Sequence, residues 1–143
     1  MPEKHTIAIA YKAEEWFLID YQLIDLADIG QWMPNEVSYQ KSKQAMLVYL
    51  QHRVSHQTIV LGNTHFEHSP LYDHVKFAQA VYFIERAAKY VRVNKSASED
   101  DSLPFISGGD FNSLPMSSVL SAFYNENIES GDYVKANEMP SVW

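Results

Sequence analysis

The sequence contains no cysteine, which excludes disulfides, thiolate nucleophiles and zinc–thiolate sites. It has no apolar run approaching the span of a bilayer, and the opening Met1-Pro2-Glu3-Lys4-His5 does not resemble a signal peptide. No membrane role is expected, and the default placement is cytoplasmic, with the nucleus as the alternative. Positive charge is not in excess either. A formal net charge of -7 argues against a surface that coats nucleic acid non-specifically. It leaves a nucleic-acid enzyme open, because a bound divalent cation can supply the local positive charge. Internal repeats and domain boundaries are also missing. What is present is a chain of 143 residues, 46% apolar, which has room for one domain with a real core.

The stretch from Pro104 to Pro115 (Pro-Phe-Ile-Ser-Gly-Gly-Asp-Phe-Asn-Ser-Leu-Pro) reads as a short buried strand that turns polar at its carboxyl end. Alternation along a strand predicts that Ile106, Asp110 and Asn112 share one face. Gly108 and Gly109 just before the carboxylate allow a close approach by a ligand or another strand. A carboxylate and an amide two residues apart suit phosphate chemistry. The acid can hold a metal or take a proton from water, and the amide can donate to an oxygen that gains charge. The plain structural alternative, of equal weight on these residues alone, is a strand that ends in an Asx-type turn.

Taken in order, His5 to Tyr11 is a strand candidate and Trp16 to Leu26 a hairpin partner. In the latter Phe17, Ile19, Tyr21 and Leu23 alternate with Leu18, Asp20 and Gln22. Asp28 to Lys43 reads as a loop broken by Gly30 and Pro34. Ala45 to His52 and Thr58 to His65 read as buried strands joined by a turn at Val54 to Gln57. Ile59, Leu61, Asn63 and His65 share one face of the second, so its apolar base also ends in a polar tip. Two strands of this kind suggest neighbours whose ends line one cleft. Asp73 to Arg92 is the clearest helix, capped by Asp73, with Phe77, Ala78, Val81, Ile84, Ala88 and Val91 at amphipathic spacing. The polar Asn94 to Ser102 reads as a loop back to the glycine-rich strand, completing a βαβ unit. A short helix is expected from Ser117 to about Tyr124, with Val119, Leu120 and Phe123 inward. The aromatics Tyr82, Phe83, Phe123 and Tyr124 are read as core.

Three segments together carry a family pattern. They are Asn63-Thr64-His65-Phe66, the run Ser69-Pro70-Leu71-Tyr72-Asp73-His74-Val75-Lys76-Phe77-Ala78-Gln79, and Gly109-Asp110-Phe111-Asn112-Ser113-Leu114-Pro115. The set resembles the endonuclease/exonuclease/phosphatase superfamily. The proline and the Val-Lys-x-x-Gln helix start are closest to the messenger-RNA deadenylases related to carbon catabolite repressor protein 4, with nocturnin and Angel as cousins. The resemblance runs from His5 to about Tyr124. It implies an α/β fold, part of a four-layer α/β/β/α sandwich, and Mg2+-dependent hydrolysis of RNA phosphodiesters, with Mn2+ as a substitute ion. The implied substrate is poly(A) RNA trimmed from its 3′ end, and the implied partner is a larger mRNA-decay complex. By the same resemblance Asp110 is the catalytic carboxylate and touches a second metal ion. Asn112 steadies the phosphate in the transition state, His65 contacts the scissile phosphate, Pro70 packs on the adenine, and Asn63 orients the site.

The chain departs from the family in two ways. Glu67-His68-Ser69 stands where aromatics are usual, which sets a negative charge near the phosphate path. The family's principal magnesium ligand, an upstream glutamate, and its downstream Ser-Asp-His motif have no counterpart. The superfamily domain is roughly twice this length, so residues 1–143 are expected to form the middle of such a domain, with an incomplete site. A zinc site from His65, His68, His74, Glu67 and Asp73 lacks any regular ligand spacing. The competing functions are a pseudoenzyme that binds or assembles without cleaving, and a phosphatase acting on a small nucleotide.

Overall fold

Strand β1 (Trp16–Asp25), β2 (Gln44–His52), β3 (Thr58–His65), helix α1 (Asp73–Asn94), β4 (Phe105–Asp110) and helix α2 (Ser118–Tyr124) follow one another along the chain. The structure is a computed structural model and describes residues 6–31, 43–95 and 103–124. Among these, the strands form one sheet in the order β1-β2-β3-β4. β1 and β2 pair antiparallel, as do β2 and β3, while β3 and β4 are parallel. The parallel pair requires a crossover, and α1 supplies it. The fold is α/β, as expected; the described residues make one sheet with helices on one face of it.

The core lies between that face and α1. Val60, Ala45, Leu47 and Ile24 from the sheet meet Val75, Ala78, Val81, Phe83 and Ala87 from the helix, all essentially buried. Gly62 lies beneath Phe83 and Phe105: a Cβ there would stand 2.9 Å from the Phe83 ring and 3.0 Å from that of Phe105. Only glycine lets two rings settle on the strand in this way. Phe83→Ala would cost about 3–5 kcal/mol at such a site.

Several sequence expectations change. His5 lies outside the described residues, and Thr6 to Tyr11 form no strand. Instead Ile9 borders one surface hollow together with Leu61, Asn63 and Ile106 of the sheet. The Ala8 carbonyl accepts a hydrogen bond from Asn63 Nδ2 at 2.7 Å, so the segment meets a side chain of β3 rather than joining an edge. The simple alternation in β1 fails at Ile19, where the register shifts between Leu18 and Asp20. An inserted residue flips the following side chains to the other face. Phe17 therefore lies on the opposite face from Tyr21 and Leu23, under the Arg53 guanidinium at 5.7 Å.

Asp28 to Gln31 belongs to a 3-10 turn, Leu26–Gln31. Side chains three apart eclipse in such a turn, so Leu26 and Ile29 both enter the core with no exposure. Residues 32–42 of the expected loop, and 96–102 of the later one, lie outside the described residues. Helix α1 is longer than expected and buried over a wider arc, because α2 packs on it as well as the sheet. Ala88 is exposed, and Ala87 and Tyr90 are buried in its place. Asp73 does not cap α1 by a side-chain bond; it pairs with Lys76 at 2.6 Å. Tyr124, expected in the core, is 81% exposed because α2 ends there.

Candidate active site

Strands β3 and β4 end together, and His65 stands directly opposite Asp110 in their register. The imidazole Nε2 is 3.9 Å from Asp110 Oδ2. Gly109 makes this pairing feasible. Its φ is +140°, and a Cβ there would stand 2.0 Å from the Thr64 carbonyl oxygen. The two parallel polar tips foreseen in the sequence are therefore real neighbours at one end of the sheet. The ladder continues one step further, where Phe66 N–H donates to the Asp110 carbonyl at 3.0 Å.

Past Asp110 the chain enters an Asx turn. Asp110 Oδ1 accepts the Asn112 backbone N–H at 2.9 Å, and Asn112 has a φ of +48°, in the left-handed region that asparagine tolerates. The carboxylate makes the Asx turn of the plain structural alternative with one oxygen, while the other faces His65. Asn112, however, does not share a strand face with Ile106 and Asp110. Alternation ends where the backbone turns left-handed, and Asn112 Nδ2 donates to the Phe66 carbonyl at 3.0 Å. Each loop is also anchored by its phenylalanine. The rings of Phe66 and Phe111 lie 5.5 Å apart, and Phe123 of α2 lies 4.8 Å from Phe111. Of the facing pair, the Asp110 side chain is 65% exposed and that of His65 26%.

The first turns of α1 brace both loops, a role the sequence reading missed. Lys76, almost fully buried, donates from Nζ to the Asn112 carbonyl at 3.1 Å. Gln79 Oε1 accepts the Glu67 N–H at 2.8 Å. The signal was present in the Val-Lys-x-x-Gln spacing, since residues three apart lie on one helix face, but it was read only as a family cue.

Glu67 does not place its charge on a phosphate path. It is completely buried, and its Oε1 accepts the backbone N–H groups of His68 and Ser69 at 3.0 and 3.1 Å. It also lies 3.1 Å from His68 Nδ1. Burial pushes the carboxyl upward, but those N–H groups and the charges of His68 and Lys43 outweigh it and hold it below the usual range. The chain turns the carboxylate inward because three donors wait there.

Pro70 is exposed at the head of a 3-10 turn, Pro70–Tyr72, capped by Ser69 Oγ, which accepts the Leu71 N–H at 3.3 Å. It stands on the loop that follows His65, the last residue of β3. Asn63 commits its amide to Ala8, and its Oδ1 lies beside Gly109, so it joins the amino-terminal segment to the site. His68 and His74 diverge, the first toward Glu67 and the second edge-on to Tyr72. Among the described residues no group of three or more metal-binding side chains gathers. Asp110 supplies one exposed carboxylate beside His65, and a hard divalent cation needs several more oxygen ligands. The described residues therefore do not make a complete magnesium site, and no step below is routed through one.

No family model matches the sequence. The chain is 32% identical over 81 residues to a probable CCR4-Not complex 3′-5′-exoribonuclease subunit Ccr4 of Vairimorpha ceranae, covering 57% of this chain and 16% of that protein. It is 28% identical over 140 residues to the Ccr4 subunit of Yarrowia lipolytica, covering 81% and 20%. Among solved structures, the human nocturnin catalytic domain with bound sulfate matches 80% of this chain and 37% of its own, with a TM-score of 0.63 and 18% identity. An endonuclease/exonuclease/phosphatase protein of Bacteroides vulgatus matches 81% and 41%, with a TM-score of 0.58 and 19% identity. The chain has the fold of the endonuclease/exonuclease/phosphatase proteins. In sequence it is a relative of the Ccr4 exoribonuclease subunits, and it spans a fifth or less of their length.

Proposed function

We propose that the protein hydrolyses RNA phosphodiester bonds, and specifically removes poly(A) from the 3′ end of messenger RNA within a larger decay complex. The observation that carries this reading is the pairing of His65 and Asp110 on adjacent parallel strands, with Asn112 fixed at the same end. The names of the Ccr4 relatives supply the substrate class. The share of each solved structure that the chain spans, 37% and 41%, supports reading residues 1–143 as part of one such domain.

In this reading Asp110 Oδ2 orients the attacking water and accepts its proton. His65 donates to a phosphate oxygen as negative charge develops there. Asn112 keeps one amide hydrogen on Phe66 and offers the second to the same phosphate. The exposed ring of Pro70 gives a base a flat apolar surface to rest on, which favours stacking without base-edge hydrogen bonds. Magnesium, when bound, would neutralise phosphate charge, with Asp110 among its ligands and the others supplied from outside the described residues.

Turnover of 3′-labelled poly(A) RNA by the complete domain, of which residues 1–143 are read as a part, tests the reading. Asp110→Ala should lower it at least about a hundredfold, as loss of a general base does. Asp110→Asn, which keeps the turn-closing oxygen, should do the same with unchanged unfolding. Near-normal turnover in both would overturn the assignment. The single exposed carboxylate beside His65 favours one second reading, a module that binds RNA without cutting it. In that case the unaltered protein would retain RNA and leave it intact in the presence of magnesium.

A further inference from the structure

The loop between His65 and Pro70 holds a carboxylate–imidazole pair that the hydrolytic scheme above does not use. Glu67 is completely buried and His68 is exposed, with Nδ1 3.1 Å from Glu67 Oε1. The same carboxylate oxygen accepts the backbone N–H of His68 and of Ser69, so the ring and its own backbone are held by one buried atom. Gln79 fixes the Glu67 N–H from helix α1, which leaves the loop little freedom to move the pair. An imidazole bonded through Nδ1 to a buried carboxylate has its tautomer set, and its outer nitrogen, Nε2, is turned toward solvent. His68 lies three residues past His65 and two before Pro70, on a loop tied to the Asp110 turn through Phe66.

We propose that His68 is a second phosphate-contacting side chain of this cleft, and that Glu67 is its positioning residue. The proposal rests on the reading of the cleft as a nucleotide site. When protonated, the ring donates Nδ1–H to Glu67 and Nε2–H to an oxygen of a phosphate neighbouring the scissile one. The imidazolium then lies between two anions, an arrangement that strengthens both hydrogen bonds. Glu67 cannot serve the phosphate itself, since it is buried and turned inward. Its work is to hold the ring and fix which nitrogen faces away from it.

The test uses the full protein with its histidine side chains labelled with 15N, and adenosine 5′-monophosphate and adenosine as probes. In the absence of probe, neutral His68 should carry its proton on Nδ1, and Glu67→Gln should shift that tautomer balance; a merely structural Glu67 would leave it unmoved. Adenosine monophosphate should move the His68 ring nitrogens toward the imidazolium position, and adenosine should not. His68→Phe, at an exposed position, should fold normally and weaken adenosine monophosphate about tenfold, the scale of one charge-assisted hydrogen bond. It should leave adenosine affinity unchanged. A response at His65 with none at His68 overturns the proposal and leaves the cleft reading in place. An equal response to adenosine overturns the phosphate contact. No response at either histidine overturns both. Hydrolysis is a separate readout: a His68 response without RNA cleavage removes the exoribonuclease reading alone.

Discussion

Gly109→Ala should be the most damaging single-methyl change in the chain, and its neighbour Gly108→Ala one of the mildest. At Gly109 the added Cβ would stand 2.0 Å from the Thr64 carbonyl oxygen and 2.9 Å from Asn63 Oδ1. A carbon–oxygen contact settles at about 3.3 Å or beyond, so β4 must move away from β3 by more than about 1 Å. Holding a residue other than glycine at φ +140° costs about 1–3 kcal/mol. The ladder bonds lost beside it add about 1 kcal/mol each. A total of about 3–5 kcal/mol would consume much of the stability of a domain this size. At Gly108 a Cβ meets nothing within 4 Å, and replacing a strand glycine gains about 0.5–1 kcal/mol. Urea unfolding followed by circular dichroism measures both variants with the slope held common. If Gly109→Ala unfolds within about 1 kcal/mol of the unaltered protein, the argument that this glycine sets the His65–Asp110 register is wrong.

Lys76→Met keeps the apolar stem but removes the donor to the Asn112 carbonyl and the partner of Asp73. It should cost about 1.5–3 kcal/mol in urea unfolding, and turnover of poly(A) RNA should fall about tenfold or more as the Asn112 loop loosens. Tyr90, whose hydroxyl donates to Asp20 at 3.0 Å, is pushed above its ordinary 10.0 by burial and by that carboxylate. Its contribution is complete below pH 10 and lost as pH rises through the folded-state value. Tyr90→Phe should therefore lose about 1 kcal/mol at neutral pH and unfold less steeply under alkali. Glu67 is held below its ordinary 4.5, so its contribution is present above that pH and lost as pH falls through the folded-state value. Glu67→Gln should be less stable at pH 7 and show a flatter acid limb in a series of thermal melts.

Much of the architecture was legible because burial follows period. Thr58–His65 was bounded correctly, since polar turns flank a strongly apolar run. The crossover helix was plain because its apolar residues recur over more than five turns. What the sequence hid was local backbone geometry. Nothing in Phe17 to Leu23 marks the shift at Ile19, because either register gives an alternating pattern. Ile7 and Ile9 look like a strand, yet Thr6 to Tyr11 form none, and the Ala8 carbonyl meets the Asn63 side chain rather than a strand edge. Asn112 reads as a strand residue until its φ is known. The adjacency of His65 and Asp110 was legible because both apolar strands end in polar tips. The bracing by Lys76 and Gln79 was not, because a lysine and a glutamine on a helix usually signal solvent.

The burial of Lys76 and Glu67 bears on what the site is for. A buried charge is a poor investment for stability: apolar residues of similar volume often serve as well or better. Here each charge terminates on backbone atoms of a loop. Lys76 grips the carbonyl of Asn112, and Glu67 grips the N–H groups of His68 and Ser69. Beyond the Phe66–Asp110 bond neither loop continues the sheet ladder, and left-handed Asn112 is costly unless something fixes it. A fold selected only to pack would have no reason to hold those particular carbonyl and amide groups. The proposed site, with His65, Asp110, Asn112 and Pro70 at fixed separations, would use them, because a shift of about 1 Å at a reacting group can cost a hundredfold in rate. The two buried charges therefore hold the shape of both loops, as the cleaving and the binding reading of the proposed site alike require.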